Sequence, residues 1–229
     1  MTRRALMVVA KQPSPGQTKT RLSPPLTGDH AAALYECFLR DTLEIIRAAR
    51  KLCPFDPIIT YLPEGGESYF RQLAPDFGLL LQQGAGLSER LHNAIEYCLT
   101  TGGYDQAAIM DSDSPTLRPE YLNAAFAELD RADMTFGRVD DGGYYLIGLK
   151  KPAPRLFLEV TMSTPTVAHD TLTCAAKENL SVHLLPTAFD IDYGVDLRRL
   201  IDELHTLPIH FAPHTRRFLQ ANPDIESRV

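Results

Sequence analysis

The sequence contains no tryptophan, no long apolar run and no surplus of positive charge. No stretch approaches the ~18 consecutive apolar residues of a membrane-spanning helix, so no membrane partner is expected. A formal net charge of −6 argues against a general nucleic-acid binder and against an anionic membrane surface, while leaving room for a local basic pocket. The four cysteines, Cys37, Cys53, Cys98 and Cys174, form neither a CxxC pair nor a zinc-type cluster with histidine. Neither GxGxxG nor a Walker A loop occurs, which sets aside a nicotinamide or flavin dinucleotide site and a P-loop. The apolar run behind the basic N-terminus is too short for a signal peptide, so a cytoplasmic protein is expected.

What remains is an ordinary globular mixture: 229 residues, 44% hydrophobic and 23% charged. That length fits one domain over 1–229 with a C-terminal extension at 205–229. Leu6-Met7-Val8-Val9-Ala10 reads as a buried strand. Pro13, Pro15 and Gly16 then impose a stiff turning loop that carries Lys19 and Arg21. A buried strand running into such a loop suits phosphate, because ammonium, guanidinium and backbone N–H groups all match phosphoryl oxygens. The same pair also reads as a solvated surface face.

From His30 to Ala49 apolar residues recur with helical period, and Thr27 or Asp29 stands ready to cap that helix. Strand patterns follow at Ile58–Leu62 and Leu79–Leu81, with a weak helical piece between them. Gly84 and Gly86 permit close backbone approach to a ligand, and Ser88 reads as the N-cap of the next helix. Arg90, near that helix start, can reach an anion.

Ala107–Met110 is a short strand that runs straight into Asp111-Ser112-Asp113-Ser114-Pro115. Two carboxylates leaving a buried strand are costly unless they meet metal, solvent or donors, and magnesium or manganese needs only one or two of them beside phosphate oxygens. Asx-turn or capping duty is the plainer role for the same residues. Further on come a helix from Pro119, a hairpin formed by Met134–Val139 and Tyr144–Leu149 around Asp140-Asp141-Gly142-Gly143, a helix near 166–177, a strand at Val182–Leu185, and a helix after Asp196, which reads as its N-cap or first-turn acid.

Several of these junctions resemble one family. Lys11 to Leu22, Gly86-Leu-Ser-Glu89-Arg90, Asp113-Ser-Pro-Thr-Leu117, Asp141-Gly-Gly-Tyr-Tyr-Leu-Ile-Gly-Leu149 and Asp190-Ile-Asp192 to Asp196-Leu197 are similar to motifs of small bacterial GT-A-like transferases. This is the DUF2064, or radical-SAM/selenodomain-associated transferase 1-like, family, related to the guanylyltransferases for 2-phospho-lactate and molybdenum cofactor. The resemblance implies a phosphate clamp that includes Lys11, Gly16, Lys19 and Arg21, and donor contacts at Gly84, Gly86, Glu89 and Arg90. It implies a metal held by Asp113 with Asp192. Asp111 stands where relatives have glycine, and is a further metal candidate. Asp141, Gly142 and Gly143 are implied on the acceptor side. Lys19, Arg21, Asp113 and Asp141 are the implied catalytic set. Relatives carry Trp-Ser-Thr where this chain has Met162-Ser163-Thr164, a departure that bears on substrate.

The expected fold is therefore α/β, a three-layer α/β/α sandwich on a mixed, mainly parallel sheet of the nucleotide-diphospho-sugar transferase (GT-A) type. The expected activity is a transferase using a nucleotide-activated donor with Mg2+ or Mn2+. A nucleoside diphosphate-sugar as donor, hence glycosyl transfer, is preferred. Nucleotidyl transfer from a nucleoside triphosphate to a small phosphorylated acid, and a non-catalytic nucleotide-binding role, stand as alternatives. The expected partners are small molecules and, through an exposed part of the sheet or the hairpin, a second copy of the chain.

Overall fold

The computed structural model describes residues 2–228. The first apolar run forms β1 (Arg4–Lys11), with Leu6, Val8 and Ala10 packed on one face and Ala5 and Met7 on the other. Burial on both faces is what a central strand requires. After a loop and a 3-10 turn at Thr20–Leu22 comes α1 (Gly28–Arg50), whose start is capped by the Thr27 side chain accepting from His30 N. Next are β2 (Asp56–Leu62), α2 (Glu67–Leu73), β3 (Gly78–Leu81), α3 (Leu87–Leu99), β4 (Gln106–Met110) and α4 (Pro119–Leu129). The second half holds β5 (Met134–Arg138), β6 (Tyr144–Leu149), the single turn α5 (Arg155–Leu158), α6 (Val167–Lys177), β7 (Val182–Leu184), α7 (Gly194–Thr206) and α8 (Pro213–Ala221).

The strands make one seven-stranded sheet in the order β3-β2-β1-β4-β6-β5-β7. Neighbours run parallel except for β6, which is antiparallel to both β4 and β5. One face carries α1 and α4, with Leu39, Leu43, Leu122 and Phe126 packed on Leu6 and Val8. The other carries α3, α5 and α6, with Ile95, Phe157 and Ala175 in the layer around Met7 and Ile109. The expected α/β/α sandwich with a mixed, mainly parallel sheet is thus what forms. A third apolar cluster joins the first half of α1 to α7 and α8 through Leu34, Phe38, Leu200, Leu204 and Leu219. There Asp41, buried on α1, accepts hydrogen bonds from His214 N, Thr215 N and Thr215 Oγ1 and so closes the start of α8.

This topology positions the site. β1 pairs with β2 on one side and β4 on the other. The chain leaving β1 and the chain leaving β4 both lead to helices on the same face, α1 and α4, and the cavities described below lie beyond the carboxyl ends of these two strands. Among the described residues, no helix is long and apolar enough to cross a membrane.

One local expectation changes and another is met. Ser88 is not the cap of α3: Gly86 is the capping residue, and Ser88 lies in the first turn with its hydroxyl donating to Val160 O at 3.5 Å. Asp196 acts in the first turn of α7, where its Oδ2 accepts from Asp192 N and Tyr193 N at 3.0 and 2.6 Å, so it braces the loop that carries Asp192.

Candidate active site

Lys19 is the centre of the crevice. Its backbone is left-handed, φ 50°, a conformation that costs a non-glycine residue about 1–2 kcal/mol and that the surrounding structure must hold. The side chain, only 8% exposed, reaches Asp113 Oδ2 at 2.9 Å and Asp192 Oδ1 at 2.6 Å. Arg21, largely in solvent, reaches the other oxygen, Asp192 Oδ2, at 3.1 Å and lies over the Tyr193 ring. Three distant stretches thus meet: the loop after β1, the turn after β4, and the loop before α7. Sequence reading assigned Lys19 to phosphate and the two aspartates to metal; in the structure these charges are paired with one another.

The pairing sets the protonation of the cluster. Burial works against the Lys19 ammonium, but Asp113 and Asp192 more than offset it and hold its pKa above the usual lysine value. For Asp113 burial wins over Lys19 and the carboxyl is raised. For Asp192 burial is outweighed by Lys19 together with Arg21, and the carboxyl is held below the usual range. Asp111, facing Asp113 and Asp190 from a buried position, is raised well above the usual range by desolvation and then by those charges. Asp190 is pushed up to about 7, first by burial and then by Asp141 and Asp192. The cluster therefore gathers more carboxyl groups than Lys19 and Arg21 can neutralise, and Asp111 and Asp190 answer the excess by holding protons more readily.

Two cavities adjoin here. The first, about 360 Å3, runs from Lys11 and Gln17 past Lys19 to Gln82 and Arg90. The second, about 450 Å3, lies toward Asp141, Tyr144 and Met162. Both sizes fall in the usual range for small-molecule sites. The two share Arg21, Asp113 and Asp192, with Val9, Leu87 and Ser112, as their common wall.

Of the expected site residues, Lys11, Lys19, Arg21, Arg90, Asp111, Asp113, Asp141, Gly143 and Asp192 line one or both cavities. Gly16, Gly84, Gly86, Glu89 and Gly142 line neither. Gly84 has φ 133°, and a Cβ there would come within 2.6 Å of Glu89 Cβ, so this glycine serves the packing of its own loop on α3. Glu89 Oε2 accepts from Ala85 N and ties the same loop down. Gly142, φ 97°, lies so close to Pro165 that a Cβ would stand 1.8 Å from its carbonyl oxygen. The close backbone approach expected at Gly142 is to the protein itself and not to an acceptor. Arg90 lines the first cavity, but its guanidinium already donates to Gly84 O and Ala85 O.

Sequence reasoning missed Tyr35 and Gln82. Tyr35 is one more apolar-face residue of α1 by period, yet its hydroxyl accepts from Lys11 N at 3.1 Å and meets Ser112 Oγ at 3.0 Å. It locks the end of β1 to the turn after β4. Gln82, just past β3, donates its amide N–H groups to Ala10 O and Thr60 O and lines the first cavity. No local pattern marks either residue; only the packing of α1 and β3 beside β1 reveals them.

Among the described residues no three His, Cys, Asp or Glu side chains converge as a ready metal cage. Asp111 Oδ1 and Asp113 Oδ1 are nonetheless buried without a hydrogen-bond partner. Hard oxygen donors in surplus over local cations fit a magnesium-type ion, which binds through one or two carboxylates and completes its shell with phosphate and water.

A sheet of this order with its crevice at the carboxyl ends of β1 and β4 is the fold of nucleotide-dependent transferases. It superposes with a TM-score of 0.90 and 29% identity on a protein of Desulfovibrio desulfuricans G20 described as a "putative nucleotide-diphospho-sugar transferase", over 100% of this chain and 98% of that one. The 4-diphosphocytidyl-2C-methyl-D-erythritol synthase of Anaerococcus prevotii DSM 20548 shares the fold at 8% identity and TM-score 0.59, over 89% of this chain and 99% of that one. Rv0371c of Mycobacterium tuberculosis H37Rv, in complex with manganese, shares it at 18% identity and TM-score 0.53, over 88% and 98%. The chain belongs to the bacterial family described as "Uncharacterized protein conserved in bacteria (DUF2064)", whose model matches residues 45–164. No curated protein matches its sequence.

Proposed function

We propose that the protein is a metal-dependent transferase that moves a sugar from a nucleoside diphosphate-sugar to a small acceptor. The observation that carries this reading is the shared wall of the two cavities: one for a nucleotide, one for an acceptor, meeting at Arg21, Asp113 and Asp192. The nucleotide lies along the first cavity, with its phosphates toward Lys19 and Arg21. Guanidinium and ammonium groups there offset the charge that grows on the departing diphosphate. Asp113 and Asp192 would hold Mg2+ or Mn2+, with Asp111 beside them, and the ion would supply further neutralisation of the leaving group. A fold relative solved in complex with manganese supports the use of a divalent ion by analogy.

The acceptor lies in the second cavity. Its hydroxyl oxygen attacks the anomeric carbon, the bond from that carbon to the diphosphate oxygen breaks, and the acceptor proton passes to Asp141 or Asp190, the carboxylates lining that cavity away from Lys19. Holding donor and acceptor in adjoining sites is the larger part of the catalysis, because among the described residues no nucleophile–base pair stands at the junction.

Nucleotidyl transfer uses the same apparatus, with attack on the α-phosphorus of a triphosphate and loss of pyrophosphate. A calorimetric panel separates the two: UDP-, GDP- and dTDP-sugars against GTP, CTP, UTP and ATP, each with and without Mg2+ or Mn2+. The expected result is metal-dependent preference for a diphospho-sugar. Preference for a triphosphate overturns glycosyl transfer, and no nucleotide binding overturns the transferase reading altogether. Asp113→Asn leaves Lys19 paired with Asp192 and is expected to keep the fold while weakening nucleotide binding in Mn2+ at least tenfold; unchanged affinity removes Asp113 from the metal site.

A further inference from the structure

The second cavity says what kind of acceptor it takes. One wall is apolar, formed by Leu91, Ile109, Tyr144, Met162 and Val167. The other is acidic, with five carboxylates: Asp111, Asp113, Asp141, Asp190 and Asp192. Among the described residues lining it, Arg21 is the only lysine or arginine. That guanidinium is already 3.1 Å from Asp192 and stacked over Tyr193. Lys19 does not line this cavity, and its ammonium is held between Asp113 and Asp192.

An acceptor with a phosphate or carboxylate would find no unpaired cation here and would face like charge on one side and hydrocarbon on the other. A divalent ion does not reverse this. Held by Asp113 and Asp192 it would belong to the junction with the first cavity, where the donor's phosphates would offset its charge. Asp141 and Asp190 remain facing the acceptor. By contrast, an ammonium group meets carboxylates, and an alkyl body meets Leu91, Ile109 and Met162.

We infer that this cavity takes an alcohol free of acidic groups, with an apolar body, and binds it best when it also carries a protonated amine. The inference rests on the transferase reading for its word "acceptor". It goes beyond that reading in excluding phosphorylated and carboxylated acceptors, and with them transfer to a small phosphorylated acid.

The test uses the full chain and ligand-observed NMR titrations with four probes of equal chain length: aminohexanol, hexanediol, hydroxyhexanoate and the monophosphate ester of hexanediol. Titrations are run in EDTA. The expected order is the amine first, the diol next, and both acids at least tenfold weaker than the amine. Asp141→Asn combined with Asp190→Asn should lower the affinity for the amine several-fold and that for the diol by a clearly smaller factor. Met162→Lys, which puts an ammonium on the apolar wall, should reverse the preference toward hydroxyhexanoate; it serves if the double variant fails to fold. An acid binding as tightly as the amine overturns the inference, as does failure of every probe to bind or an unchanged order in both variants. A parallel nucleotide titration keeps the two readings apart. Nucleotide binding together with preference for an acidic probe sinks the inference and leaves the transferase. The expected probe order without any nucleotide binding leaves an amino-alcohol cavity and sinks the transferase.

Discussion

Replacing Lys19 by methionine tests whether the buried cation holds the site together. Methionine keeps an unbranched stem and inherits the same left-handed backbone, so the strain at φ 50° cancels in the comparison. What changes is the charge. The parent ammonium touches carboxylates at 2.9 and 2.6 Å. Breaking a fully buried pair by deleting one partner costs about 3–5 kcal/mol, because the other charge is left without compensation. Asp113 and Asp192 keep 27% and 28% of their side-chain surface, and Asp192 retains Arg21. Partial hydration of both carboxylates brings the expectation down to about 2–3 kcal/mol. In a chain of this size that is a fall in melting midpoint of roughly 5–10 °C. Urea unfolding at neutral pH reads the loss directly. The same experiment in Mn2+ adds a second readout, since the ion and Lys19 compensate the same two carboxylates. At about 100 times its Kd the ion should return about 2.7 kcal/mol to Lys19→Met. A variant as stable as the parent without metal would refute the buried-pair argument, and a variant indifferent to manganese would refute the metal assignment.

The other perturbations are more local. Asp41→Ala removes the acceptor of three hydrogen bonds at the start of α8 and leaves buried donors unpaired, so a loss of about 2–3 kcal/mol is expected, with early proteolysis within residues 205–229; cleavage no faster than in the parent would contradict it. Gly142→Ala places a Cβ 1.8 Å from Pro165 O at positive φ, and a variant melting with the parent would show that the turn is not so constrained. Tyr35→Phe keeps the ring but cuts the tie between Lys11 N and Ser112 Oγ; about 1–2 kcal/mol of stability and a several-fold loss in nucleotide affinity are expected, by thermal unfolding and calorimetry.

Much of the frame was legible locally. The alternation of Leu6, Val8 and Ala10 against Met7, the helical stripe of α1, and the breakers at Pro13, Pro15 and Gly16 each follow from rules that act within a few residues. Resemblance to the family placed Asp113, Asp141 and Asp192 near one another before any coordinates did. Other residues of the motifs have a local role in the structure. Gly84, Gly86, Glu89 and Gly142 sit in motifs shaped like ligand contacts, yet Gly84, Glu89 and Gly142 are explained by contacts that hold their own loops.

The sequence by itself determined the elements, their order and the residue types gathered at each strand end, because periodicity, turn chemistry and capping are short-range effects. Only the tertiary structure decided which of those charges meet. Strand order puts β4 beside β1, and that brings Asp113 to Lys19; the path back from β7 brings Asp192 to the same ammonium. Once buried together, their charges must be balanced against one another before any ligand arrives, and that balance exists only where the distant segments pack. It leaves one cavity bordered by the paired cations and its neighbour acidic and apolar.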